Sequence, residues 1–126
     1  MSDKKTILIV DDEPDVLRWL TVLFENNGYR AVAAKDGVEG IELAETEHPD
    51  LITLDISMPR ESGVKMYKKL LESGKTADIP VIMLTGAPPE LDGFLGRMKQ
   101  KKKPAAFLEK PVTDEELLAE VRQLIG

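Results

Sequence analysis

The chain has 126 residues, enough for one compact domain and too few for two. Hydrophobic residues make up 42% of it, so a core can form, and the absence of cysteine excludes a thiol nucleophile, a zinc ribbon and a sulfur redox switch. Seventeen Lys and Arg against 23 Asp and Glu leave a net charge of −6, which disfavours non-specific binding to nucleic acid or anionic lipid.

The first apolar run, Ile7-Leu8-Ile9-Val10, does not alternate with polar residues, so as a strand it is expected to be covered on both faces, as in a parallel sheet between helices. It ends in Asp11-Asp12-Glu13. Val16, Leu20 and Leu23, with Leu17 and Phe24 beside them, then give a helical stripe with Trp19 at its margin, stopping at Asn27-Gly28. The less apolar Tyr29 to Ala34 suits an edge strand. Val38, Ile41 and Ala44 mark a second helix, and His48, the sole histidine, falls in a surface turn after it.

Leu51-Ile52-Thr53-Leu54 reads as the third strand and ends at Asp55; Val64, Tyr67, Leu70 and Leu71 form the third helical stripe before Gly74. Val81-Ile82-Met83-Leu84 ends at Thr85-Gly86. The following stretch, Pro88 to Pro104, carries Arg97, Lys99, Lys101, Lys102 and Lys103; it is read as a solvated helix end whose cations complement the macrodipole, with a basic docking patch as the functional alternative. A weaker run, Ala105 to Leu108, leads to Lys110-Pro111. Thr113-Asp114-Glu115-Glu116 is a capping box opening a last helix that buries Leu117, Leu118, Val121, Leu124 and Ile125.

Strand and helix thus repeat five times, which predicts an α/β domain with right-handed crossovers and helices on both sheet faces. In such a sheet the working edge lies at the carboxyl ends of the strands. There the chain delivers acids from the first strand (Asp11, Asp12, Glu13) and the third (Asp55), a hydroxyl from the fourth (Thr85) and an ammonium from the fifth (Lys110). Crowded carboxylates repel unless cations compensate, and two are available: Lys110 and a divalent metal. Oxygen-only ligands favour a hard cation such as Mg2+. Asp55 fits a nucleophile towards phosphorus, with Lys110, Thr85 and the metal spread over the phosphoryl oxygens.

The segments ILIVDDEPDV, DLITLDISMPRESG, VIMLTGA and FLEKPV, in this order, make residues Lys5 to Ile125 resemble the receiver domain of bacterial two-component response regulators, of the single-domain chemotaxis type. The resemblance implies a flavodoxin-like (βα)5 sandwich with strand order 2-1-3-4-5, and one receiver domain over residues 1–126 with no output domain in this chain. It implies that Asp55 is the phosphoacceptor, that Asp12 binds Mg2+ directly with Asp11 as its water-mediated neighbour, and that the Ser57 backbone carbonyl and Asp55 complete the site. Thr85 is similar to the switch hydroxyl, Lys110 to the lysine that bonds a phosphoryl oxygen, and Phe107 to the aromatic switch residue; the Lys110-Pro111 peptide is expected to be cis. Met58-Pro59 and Gly63 match the loop after the phosphoacceptor.

The implied activity is a phosphorylation switch that catalyses only its own phosphorylation and dephosphorylation. A histidine kinase or histidine phosphotransfer protein is the implied donor, and the responding surface is the face of the fourth helix, fifth strand and fifth helix. A monomer or weak phosphorylation-dependent dimer, without nucleic acid or membrane partners, is expected in the cytoplasm; no apolar run approaches the roughly 18 residues of a membrane span. The sequence departs from the family pattern at Phe107, which lacks a tyrosine hydroxyl, at Gly86 in place of alanine, and at Pro104 in place of glycine. A small phosphohydrolase with an aspartyl nucleophile is the alternative, but its usual second acid two residues on is here Ser57. A flavodoxin-like cofactor module would need a phosphate loop where this chain has Asp-Asp-Glu-Pro.

Overall fold

The computed structural model describes residues 4–55, 62–85 and 105–126. Its elements run β1 (Thr6–Val10), α1 (Pro14–Asn26), β2 (Arg30–Ala34), α2 (Gly37–Glu47), β3 (Leu51–Asp55), α3 (Ser62–Glu72), β4 (Val81–Thr85), β5 (Ala106–Glu109) and a C-terminal helix, α4 (Asp114–Ile125). All strand pairs are parallel, in the order β2-β1-β3-β4-β5. This is the flavodoxin-like order, reversing between β1 and β3. The basic stretch expected to supply a helix between β4 and β5, with Gly86 and Pro104, lies outside the described residues, as do Ser57 and Met58-Pro59.

The non-alternating strands are explained by two cores, one on each face. Leu8, Val10, Ile52, Leu54, Val81 and Met83 point towards α2 and α3, where Ala44, Met66, Tyr67 and Leu70 meet them. Ile7, Ile9, Leu51, Ile82 and Leu84 point the other way, against Leu20, Leu23 and Phe24 of α1 and Leu117, Leu118 and Val121 of α4. Each strand therefore splits its apolar residues between two helical layers, which removes the polar face that alternation would mark.

Boundaries shift slightly from the sequence expectation. Tyr29 precedes β2 instead of opening it, because its ring packs edge-on against Phe24 with centroids 6.3 Å apart. The fifth strand begins one residue later than expected and reaches Glu109, in register with Thr85. Val38 does not join the buried stripe of α2: it is 77% exposed, and Gly40 and Ala44 supply the buried positions. Helix α1 stops where expected, with Gly28 at φ +90°, the left-handed conformation glycine adopts without penalty.

Candidate functional site

Position 11 follows β1 and position 55 closes β3. Because β1 and β3 are neighbours in register, with Val10 opposite Leu54, the two carboxylates emerge side by side at the carboxyl edge where the strand order reverses. Both are almost fully buried, at 1% and 2% exposure. Asp12, the next residue, is exposed. One carboxylate oxygen from each of Asp11, Asp12 and Asp55 lies within 4.8 Å of the others, the spacing that a single cation can span.

Among the described residues the cation at these carboxylates is Lys110, delivered by the turn after β5. Its Nζ donates a hydrogen bond to Asp55 Oδ2 at 2.9 Å and lies 3.9 Å from Asp11 Oδ2. Burial alone would lower the affinity of this amine for its proton. The hydrogen bond and charge of Asp55, followed by the charges of Asp11 and Glu13, outweigh that and raise its pKa, so Lys110 stays an ammonium. The Lys110-Pro111 peptide is cis, as expected.

Among the described residues, one ammonium faces three carboxylates. Asp11 Oδ1 accepts the Glu13 backbone N–H at 2.9 Å, but Asp11 Oδ2 has no hydrogen-bond donor among the described residues. Burial, only partly opposed by that backbone hydrogen bond and reinforced by the charge of Asp55, pushes the Asp11 carboxyl up to about 6. A buried carboxylate oxygen with no donor, facing two further carboxylates, fits a divalent hard cation with waters in its remaining positions.

Asp11, Asp12, Asp55 and Lys110, the acids and the ammonium expected from the sequence, all lie at one edge of the sheet. Thr85 ends β4 at the same edge, while its hydroxyl, like the Ser57 carbonyl, lies outside what the structure describes. Phe107 is half-buried, paired in register with Met83 and packed against the α3-side core. His48 is exposed at the C-cap of α2, away from these groups in sequence and role. A contact that the sequence reading did not foresee joins Trp19 to the start of α4: its indole Nε1 donates to Asp114 Oδ1 at 2.7 Å across 95 residues of chain. No local pattern could have signalled it. No helix among the described residues is long and apolar enough to cross a membrane.

A model of the response regulator receiver domain matches residues 7–122. The chain belongs to that family. Among relatives, it is 34% identical over 120 residues to the protein PilH of Pseudomonas aeruginosa, covering 95% of this chain and 97% of PilH. It is 35% identical over 121 residues to the alkaline phosphatase synthesis transcriptional regulatory protein PhoP of Bacillus subtilis, covering 96% of this chain but only 48% of PhoP. The chain thus spans nearly all of PilH and about half of the transcriptional regulator. Among solved structures, the receiver domain of the sensor histidine kinase PA1611 from Pseudomonas aeruginosa, which has a magnesium ion coordinated in its active site cleft, superposes with a TM-score of 0.84 at 24% identity, covering 98% of each chain. That likeness supports the fold. As a receiver domain the chain is a signalling module of two-component systems.

Proposed function

We propose that the chain is a phosphorylation-activated switch in which Asp55 accepts a phosphoryl group from a histidine kinase or histidine phosphotransfer protein. The observation that carries this reading is the contact of Lys110 Nζ with a buried Asp55 carboxylate that sits beside Asp11 and Asp12. An Asp55 oxygen forms the new bond to phosphorus while the donor's P–N bond breaks, its electron pair passing to the imidazole ring, which takes up a proton on leaving. The product on Asp55 is an acyl phosphate.

Lys110 is placed to exchange its carboxylate partner for a phosphoryl oxygen, so the charge that grows there in the transition state meets a fixed ammonium. Mg2+ would be held by Asp11, Asp12 and Asp55, with the Ser57 carbonyl as a further ligand, and would supply neutralisation of the phosphoryl oxygens. Phosphorylation adds roughly −1.5 to −2 charge at Asp55. Lys110 and the Thr85 hydroxyl follow that charge, and Phe107 responds on β5, so the output is a change in the face of β5 and the C-terminal helix, together with the fourth helix expected from the sequence, which lies outside the described residues. Beyond its own phosphorylation and dephosphorylation the chain catalyses nothing in this reading, and with such a donor its place is the cytoplasm.

Beryllofluoride with Mg2+ mimics the phosphoryl group on a receptive aspartate. Beryllofluoride added to the wild-type chain already saturated with Mg2+ is expected to shift the amide NMR signals of β3, β5 and the Lys110 turn, and to shift none further in Mg2+-saturated Asp55→Asn. An unresponsive wild type would overturn the proposal.

A further inference from the structure

The helices that cover the Asp55-bearing face, α1 and α4, are tied to each other by two side-chain hydrogen bonds. Towards the end of α1 remote from the carboxylates, an Arg122 guanidinium nitrogen donates to Asn27 Oδ1 at 3.3 Å. In the half of α1 that follows the carboxylates, the Trp19 indole donates to Asp114 Oδ1 at 2.7 Å. The two ties look alike on the surface, yet they anchor different things.

Asp114 is the first residue of α4, directly after the cap, where the Thr113 hydroxyl accepts the Glu116 N–H at 3.1 Å. The turn from Lys110 to Thr113 is therefore clamped at one end by the pairing of β5 with β4 and at the other by the start of α4. Trp19 also forms a wall of the same cavity of about 470 Å3 as Lys110, Pro111 and Val112, with Glu13 on the opposite chain segment. Helix α1 begins three residues after Asp11, at Pro14. The indole thus bridges the segment that carries the acids and the segment that carries the cation.

We infer that the Trp19–Asp114 hydrogen bond holds the Lys110 turn in register with Asp55, making Trp19 and Asp114 positioning residues for phosphoryl transfer. The inference rests on the function proposed above. Its physical basis is the steep dependence of reactivity on placement, since displacement of a reacting group by about 1 Å can lower a rate by up to about 100-fold. Lys110 reaches Asp55 with a single 2.9 Å contact and, at 30% side-chain exposure, has room to drift if its turn loosens.

The test is Mg2+-dependent phosphorylation by acetyl phosphate, read by phosphate-affinity electrophoresis, together with a Mg2+ titration of each protein. Trp19→Phe keeps the ring but loses the donor, and Asp114→Ala loses the acceptor; both are expected to label more slowly, by on the order of tenfold or less. Asp114→Asn keeps an oxygen that accepts the indole N–H and is expected to stay near the wild-type rate. Arg122→Ala breaks the other tie and is expected to match wild type. Magnesium affinity is expected to be unchanged throughout, because no acid of the site is altered. Equal labelling rates in all variants would overturn the inference while leaving Asp55 phosphorylation intact. So would a loss in Arg122→Ala as large as in Asp114→Ala, or slow labelling accompanied by lost Mg2+ binding. A wild type that takes up no label would overturn the proposed function, and this inference with it.

Discussion

Asp11 shows how a single residue can be a liability to the fold and a resource for function. Its burial is nearly complete and one of its oxygens has no hydrogen-bond donor among the described residues. The charged form is disfavoured in the metal-free chain, so replacing it with a neutral isostere relieves the fold. Asp11→Asn is expected to raise the unfolding free energy in chelator by on the order of 1 kcal/mol and to abolish most of the stabilisation expected of the wild type in millimolar Mg2+. Urea unfolding with and without Mg2+ checks both signs at once; a metal-free loss of stability would contradict the reading of Asp11 as an uncompensated buried charge. Tyr67 offers a second titration. Burial lifts its phenol from 10.0 to about 12, so the neutral ring contributes stability that is complete below pH 10 and lost as pH rises through about 12. Between pH 9 and 11 the unfolded phenol ionises while the folded one does not, so wild type is expected to lose on the order of 1 kcal/mol more stability than Tyr67→Phe over that interval. Parallel pH profiles would contradict it.

Among the elements, α2 is the one whose details the sequence concealed. Its N-terminus carries a reciprocal cap: Asp36 accepts the Glu39 N–H at 2.8 Å, and the Glu39 carboxylate accepts the Lys35 N–H at 2.9 Å. The Asp-x-x-Glu spacing was present, but the weak stripe behind it gave no reason to look there. Gly40 faces β1 and α3 so closely that an added Cβ would stand 2.8 Å from the Met66 sulfur and methyl and 3.1 Å from a Val10 methyl. Gly40→Ala gains about 1 kcal/mol of helix propensity and loses roughly 1–3 kcal/mol to overpacking. A net loss is therefore expected in wild type. In a Met66→Ala background, where the space is vacated, the same change is expected to stabilise, and a double-mutant cycle that finds simple additivity would show that the two do not crowd each other. At the other end His48 holds φ +47°, a left-handed cap at which glycine costs less, so His48→Gly is expected to gain about 0.5–1 kcal/mol by thermal or urea unfolding.

For the whole molecule, the legible part of the sequence was what repeats or ends abruptly. Apolar runs without alternation announced strands covered on both sides, and the residues at which those runs stop are the ones gathered in the candidate site: Asp11 and Asp12 after β1, Asp55 at the end of β3, and Lys110 beyond β5. The strand order was not legible from periodicity, because any parallel arrangement would give the same pattern; it came with the family motifs. Nor could the pattern reveal that Asp11 keeps an unbonded oxygen or that Trp19 reaches Asp114, since both depend on packing between segments far apart in the chain. What the fold achieves is to bring the buried carboxylates of Asp11 and Asp55 from separate strands together with a lysine as counterweight, and that crowding is the source of the proposed reactivity. The most direct measurement is to label the chain with acetyl phosphate and Mg2+, reduce the acyl phosphate with borohydride, which turns a phosphorylated aspartate into homoserine, and sequence the peptides by mass spectrometry. Homoserine is expected at position 55 only when donor and Mg2+ are both present; homoserine at another position, or none in protein that carries the label, would rule out Asp55 as the phosphoacceptor.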